Sequence, residues 1–224
     1  MGKTTAFLNS SVGKKVVMSL SGLFLCSFLV VHLVINLFAL NVKTDGGAEF
    51  DTYAHFMATY PLIRPLEWIL FGGFLLHAFL GIYLVIVNRQ ARPVRYESNS
   101  ANENSSWISR LAWLTGILVG VFLVVHVNTF FVQSRSFFGS APFDGRPMIE
   151  LIKDAFRSKL YVSFYVIALI FLGYHLKHGF QSAFQTLGLR VGKFEKLINL
   201  IAAIFWLVIP IGFALIPLYF LFAY

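Results

Sequence analysis

Five separate stretches of this chain are each long and apolar enough to cross a lipid bilayer, and that restricts the fold more than any other feature. A bilayer core about 30 Å thick takes roughly 20 apolar residues to cross as a helix. Residues 15–40, 64–88, 108–132, 158–182 and 196–222 meet this requirement. Lipid offers no partner to an open backbone N–H or C=O, so each stretch must be helical. The sequence therefore predicts an all-α, polytopic membrane protein: a bundle of five transmembrane helices in a single membrane domain spanning 1–224. Only 12% of the residues are charged, against about a quarter in a soluble domain. The first stretch is too long for a signal-peptide core and lacks a small-residue cleavage site after it, so it reads as retained. Pro210 and Pro217 are expected to kink the fifth. The lone cysteine, Cys26, excludes an intrachain disulfide. There is no Gly-rich phosphate loop, no CxxC pair, no visible soluble catalytic domain and no apparent internal repeat.

Loop charge predicts the orientation. With the N-terminus in the cytoplasm, the inner segments carry Lys3, Lys14, Lys15, Arg89, Arg92, Arg95, Arg110, Lys177, Arg190, Lys193 and Lys196 against Glu97, Glu103 and Glu195. The outer segments hold seven bases and seven acids, so the whole +8 net charge falls on the inner face and the C-terminus lies outside. Such a face suits anionic membrane lipid or a soluble protein partner. Nothing in the sequence points to nucleic acid. The inner loop 89–107 is polar, and the outer segments "GGAEFDTYAHFMAT" and "GRPMIELIKDAFRS" each fit a short interfacial helix.

Four of the six histidines fall inside spans, one in each of the first four: His32, His77, His126 and His175. At 1.5 Å per residue, His32 and His126 lie roughly 7–9 Å to the outer side of their span centres, and His175 roughly 7 Å to the inner side. His77 lies near its centre and slightly inward. The histidines sort into an outer and an inner pair, roughly 10 Å apart along the membrane normal. Two imidazoles from different helices at one depth are what bis-histidine ligation of a haem iron requires. A single intramembrane histidine could instead hydrogen-bond between helices or relay protons. Zinc favours a compact tetrahedral cluster, which a two-level arrangement does not offer.

Small residues flank these positions. Gly73 and Gly81 stand four residues either side of His77, and Gly179 four after His175. Ser21 stands eleven before His32, and Thr115 and Gly116 eleven and ten before His126. These could admit a macrocycle or bond its propionates. Close helix packing is the alternative use of such residues in membranes.

The segments "SGLFLCSFLVVHLVINLFA", "LEWILFGGFLLHAFLGIYL", "LAWLTGILVGVFLVVHV" and "YHLKHGFQSAFQTLG", with "GAEFDTYAHFMA" and "PLIRPLE", carry a resemblance over nearly the whole chain. Together they resemble the single-chain, five-helix, two-haem cytochrome b anchor of succinate dehydrogenases and fumarate reductases. That resemblance implies two haem b groups, with His32 and His126 on the outer iron and His77 and His175 on the inner one. In the HxxxG pattern of span four the ligand is His175, four residues before Gly179, and His178 is a polar contact. It further implies a flavoprotein subunit and an iron–sulfur subunit on the cytoplasmic face of a bacterial inner membrane, holding the succinate or fumarate chemistry. Electrons would pass between them and a membrane quinone, with menaquinone expected. Quinone-site candidates are Glu67, Glu49, Asp51, Tyr53, His55 and Arg64. Propionate candidates are Ser19, Ser21, Arg110, Lys177, His178 and Arg190. Two rival readings stay open: a two-haem cytochrome serving another quinone-linked enzyme, and a haem-free, proton-coupled transporter.

Overall fold

The computed structural model describes residues 10–91, 110–134 and 147–224. Among these it is 90% helical, without strands, and five of its seven helices are long and apolar enough to span a membrane. Lys3, Arg92, Arg95, Glu97 and Glu103, used for the orientation, lie outside the described residues.

Helix α1, Ser11–Leu37, begins where the Ser10 hydroxyl accepts a hydrogen bond from the Gly13 N–H at 3.0 Å. This cap starts the helix four residues ahead of the apolar boundary read from sequence. The helix tightens into a 3-10 turn over Phe38–Asn41, makes one more turn over Val42–Asp45, and stops at Gly46 and Gly47, with φ of 71° and 96°. Both short helices expected between spans form, α2 over Ala48–Thr59 and α5 over Met148–Phe156. Helix α3 is Ile63–Gln90 and α4 is Ala112–Val132, whose last six residues widen into a π turn directly after His126. Helix α6, Lys159–Thr186, runs four residues past its apolar boundary, because helical hydrogen bonds continue outside the bilayer until Gly188, at φ 71°, ends them.

Helix α7, Gly192–Phe222, widens into a π turn at Ile204–Val208, just before Pro210. Proline has no N–H to give the carbonyl four residues back, here that of Trp206. A Cβ built on Gly173 of α6 would stand 2.9 Å from that Trp206 oxygen. Glycine at 173 is what lets the displaced turn sit against α6.

Helices α1, α3, α4 and α6 form a ring of four. Helix α1 packs on α3 and α6, and α4 packs on the same two, so α1 faces α4 across one diagonal and α3 faces α6 across the other. Helix α7 lies outside the ring, against α6 and α1. Helix α3 buries no residue fully, and Phe79 is 67% exposed, as suits a surface solvated by lipid tails. At the end of the bundle where α1 finishes, α2 and α5 close a cluster containing Phe50, Phe130, Ile149, Phe156 and Phe220. Asp51 of α2 ties it shut by accepting a hydrogen bond from the Ile149 N–H at the start of α5, 3.0 Å away.

Candidate functional site

Helix spacing places one histidine on each of the four ring helices, and the ring geometry brings them together. The His32 and His126 ring centroids lie 5.7 Å apart, and those of His77 and His175 lie 6.1 Å apart. The first pair spans the α1–α4 diagonal and the second spans α3–α6. Both pairs have nearly perpendicular planes, at 88° and 82°. One metal ion held from opposite sides by two imidazoles, each at about 2 Å, brings ring centroids to about 6 Å. Each diagonal therefore presents two nitrogen donors at a spacing that could hold one iron.

The ring nitrogens have neighbours of their own. His77 Nδ1 lies 3.2 Å from Ser21 Oγ, His126 Nδ1 lies 2.9 Å from the Tyr165 hydroxyl, and His32 Nδ1 lies 3.3 Å from Asn36 Nδ2. His175 Nδ1 is buried and has no hydrogen-bond partner among the described residues. Contacts at Nδ1 fix ring orientation and tautomer in metal-bound histidines, leaving Nε2 for the ion. Asn36 is the exception, since its amide nitrogen donates. It already gives a shorter bond of 2.7 Å to the His32 carbonyl, so an Nε2 donor at His32 requires the proton to pass to Nδ1 and Asn36 to turn. Phe28 stacks on His32 at 5.0 Å, and Phe122 and Phe130 lie within 5.6 Å of His126, giving that pair an aromatic surround.

The small residues divide. A Cβ on Gly22 would sit 3.2 Å from His77 Cε1, and one on Gly116 would sit 3.4 Å from His175 Cε1. Both are therefore places where backbone approaches an imidazole. Gly73 instead receives the Phe24 ring, and Gly81 the end of Met18, both from α1, which is close helix packing. Gly179 has open space around it. The hydroxyls of Ser19, Ser21 and Thr115 donate to the carbonyls of Lys15, Met18 and Ala112. Lys177 lies over the Trp206 ring at 4.5 Å, on the α7 side of α6. Arg190 pairs with Glu195 at 3.3 Å, and Arg110 is exposed. His178 is half-buried one turn from His175 and is not the ring that faces His77.

The quinone-site candidates gather at the α2 end without converging on a single point. Glu67 pairs with Arg64 at 3.1 Å, its side chain 13% exposed. Glu49 accepts from Asn41 at 3.1 Å, and Tyr53 stacks on Phe38 at 4.5 Å. His55 is exposed on α2. Asp51 is committed to the α5 cap, and burial holds its carboxyl above the usual carboxylate range despite the amide donors of Ile149 and Met148.

Reading the sequence alone missed Gly22, Asn36 and Tyr165, and it missed an internal repeat. Residues 21–32 and 115–126 align without a gap as "SGLFLCSFLVVH" and "TGILVGVFLVVH". Gly22, Phe28, Leu29, Val30, Val31 and His32 match Gly116, Phe122, Leu123, Val124, Val125 and His126. With HxxxG shared by α3 and α6, the two diagonals each join like to like: exchanging α1 with α4 and α3 with α6 reproduces the placing of the four histidines and of Gly22 and Gly116. No family model, curated protein or solved structure matches the chain.

Proposed function

We propose that this chain is a membrane-anchoring cytochrome b that holds two haem b groups and carries electrons between an iron–sulfur partner and a membrane quinone, as the anchor of a succinate:quinone oxidoreductase in a bacterial inner membrane. The facing imidazole pairs across the two diagonals carry this reading. Depth along the helices and ring contacts in the fold select the same partners. The residues suit a haem in two further respects: the donor set is all imidazole, and backbone at Gly22 and Gly116 comes up against the ligand rings.

A haem bound here would supply one-electron chemistry. The chain itself contributes ligation from four helices, an apolar surround and exclusion of water. A haem iron held by both His32 and His126, or by both His77 and His175, would be left without a site for oxygen, and its chemistry would be electron transfer. The succinate or fumarate chemistry belongs to a flavoprotein partner, docked on the end that carries Lys14, Lys15, Arg89, Lys193 and Lys196. Quinone is assigned to the opposite end, near Glu67, Arg64, Tyr53 and His55.

The test is a reduced-minus-oxidised visible spectrum of the purified protein with a haem count. A b-type band and two haems per chain are expected, with a flavoprotein and an iron–sulfur protein co-purifying. A colourless protein would sink the haem reading and leave the histidines as interhelical hydrogen-bonding groups. A red protein without those partners would move the anchor to another quinone-linked enzyme.

A further inference from the structure

A neutral imidazole carries its proton on one of two nitrogens, and only the other can bind a metal. At His77 the neighbours decide which. The single hydroxyl proton of Ser21 is committed to the Met18 carbonyl at 2.9 Å. Towards His77 Nδ1, 3.2 Å away, the same oxygen can therefore only accept. The proton must sit on Nδ1, and Nε2 keeps its lone pair. Ser21 is buried, so little water competes for the contact. It stands on α1, not on the helix that carries His77, so packing between helices imposes the tautomer. Gly22, next in the chain, brings backbone against the same ring at the Cε1 edge.

The opposite side of this site repeats the parts but not the bond. Thr115 holds the position matching Ser21, and its hydroxyl goes to the Ala112 carbonyl at 3.0 Å. Gly116 lies against His175 as Gly22 lies against His77. Yet among the described residues no hydroxyl reaches His175 Nδ1, which has no partner at hydrogen-bond geometry; the Ala112 carbonyl is its nearest acceptor, as the Met18 carbonyl is for His77. Two histidines in matching places on α3 and α6 thus differ in one contact, the hydroxyl.

We propose that Ser21 is a positioning residue for His77: it locks the Nδ1–H tautomer and makes the His77–His175 site electronically one-sided. The inference rests on the haem reading above. An oxygen accepting from Nδ1–H makes the imidazole a stronger donor through Nε2, which favours ferric iron and lowers the reduction potential. Removing that oxygen raises the potential of this haem alone.

The experiment is a redox titration of the purified full-length protein, wild type beside Ser21→Ala and Ser21→Thr, followed in the visible band with haem content measured in each. Ser21→Ala should keep two haems and shift one potential upward while the other holds. Ser21→Thr, which retains the hydroxyl, should return both to wild type. Two haems with unmoved potentials in Ser21→Ala, a shift in both haems, or a Ser21→Thr shift as large as that of Ser21→Ala would each overturn the role given to Ser21 and leave the haem reading standing. If Ser21→Ala loses haem altogether, Ser21→Thr decides: wild-type content and potentials support the proposal, and a matching loss overturns it. A wild type without haem overturns the haem reading, and this inference falls with it.

Discussion

At the scale of single residues, the four imidazoles differ in how well their surroundings hold them. His77 is fixed by a hydroxyl from another helix, and His126 by the Tyr165 hydroxyl at 2.9 Å. His175 Nδ1 has no hydroxyl partner among the described residues, and His32 shares a weak contact with its own Asn36. If the pairs are ligand sets, His77→Ala or His175→Ala should halve the haem content and leave one b band. His32→Ala or His126→Ala should remove the other haem instead. His178→Ala should retain both, because its ring does not face His77; haem counts on the five variants check this. Charge at the surface behaves differently. Burial holds the Asp51 carboxyl above the ordinary range, so the folded protein binds that proton more tightly than the unfolded chain does. The sign follows: stability at the α2–α5 cap should decline as pH rises above about 4, the ordinary carboxylate value, and level off once Asp51 is ionised in both states. Protection of the Ile149 amide against hydrogen exchange, corrected for its intrinsic rate, should show this fall, and Asp51→Ala should abolish it at a cost of about 1 kcal/mol, typical of a lost cap.

At the scale of elements, local chemistry accounts for the helix ends, and packing accounts for the irregular turns. Ser10, Ser158 and Gly188 are cap and stop signals of familiar type, and they explain why α1 and α6 overrun the apolar boundaries. The wide turn in α7 has a different origin. Pro210 denies Trp206 its usual amide, the turn opens, and the Trp206 oxygen comes to rest where Gly173 has no side chain. Gly173→Ala would press a methyl to 2.9 Å from that oxygen. A loss of about 1–3 kcal/mol is expected, the range for overpacking a tight contact. Pro210→Ala restores an amide that can draw the carbonyl back. In unfolding measurements in detergent, the double variant should therefore lose less than the two single losses added together. Additive losses would separate the proline from the glycine. The kink expected from Pro210 is thus expressed as a widened turn fitted to a neighbour. From the sequence, Gly173 gives no signal beyond being small, since its partner is a backbone atom 33 positions along the chain.

At the scale of the whole molecule, five spans put the described ends of the chain on opposite faces of the bundle, and charge separates those faces. Lys14, Lys15, Arg89, Arg110, Arg190, Lys193 and Lys196 lie at the end where α1 begins; mixed acids and bases lie at the end closed by α2 and α5. If the basic end faces the cytoplasm, Lys193→Cys should react with an impermeant thiol reagent only in inverted vesicles, and Thr44→Cys only in intact cells. Both side chains are exposed, and the native Cys26 is buried, so background labelling stays low. The reverse pattern would invert the orientation and move the proposed docking face to the α2 end. How much of this molecule was legible beforehand divides along a physical line. Apolar length and the demand that every backbone group in lipid be satisfied determined, by sequence alone, that the chain forms five long apolar helices, and the 1.5 Å helical rise placed the histidines at two depths. Only the tertiary structure decided that α1 faces α4 and α3 faces α6, that Gly22 and Gly116 lie against rings on other helices, and that Ser21 and Tyr165 reach the Nδ1 atoms of histidines 56 and 39 residues away. The reason is that rise along a helix is a property of the backbone, whereas rotation about its axis and choice of neighbour are settled by side-chain packing among helices that lipid solvates equally well on every apolar side.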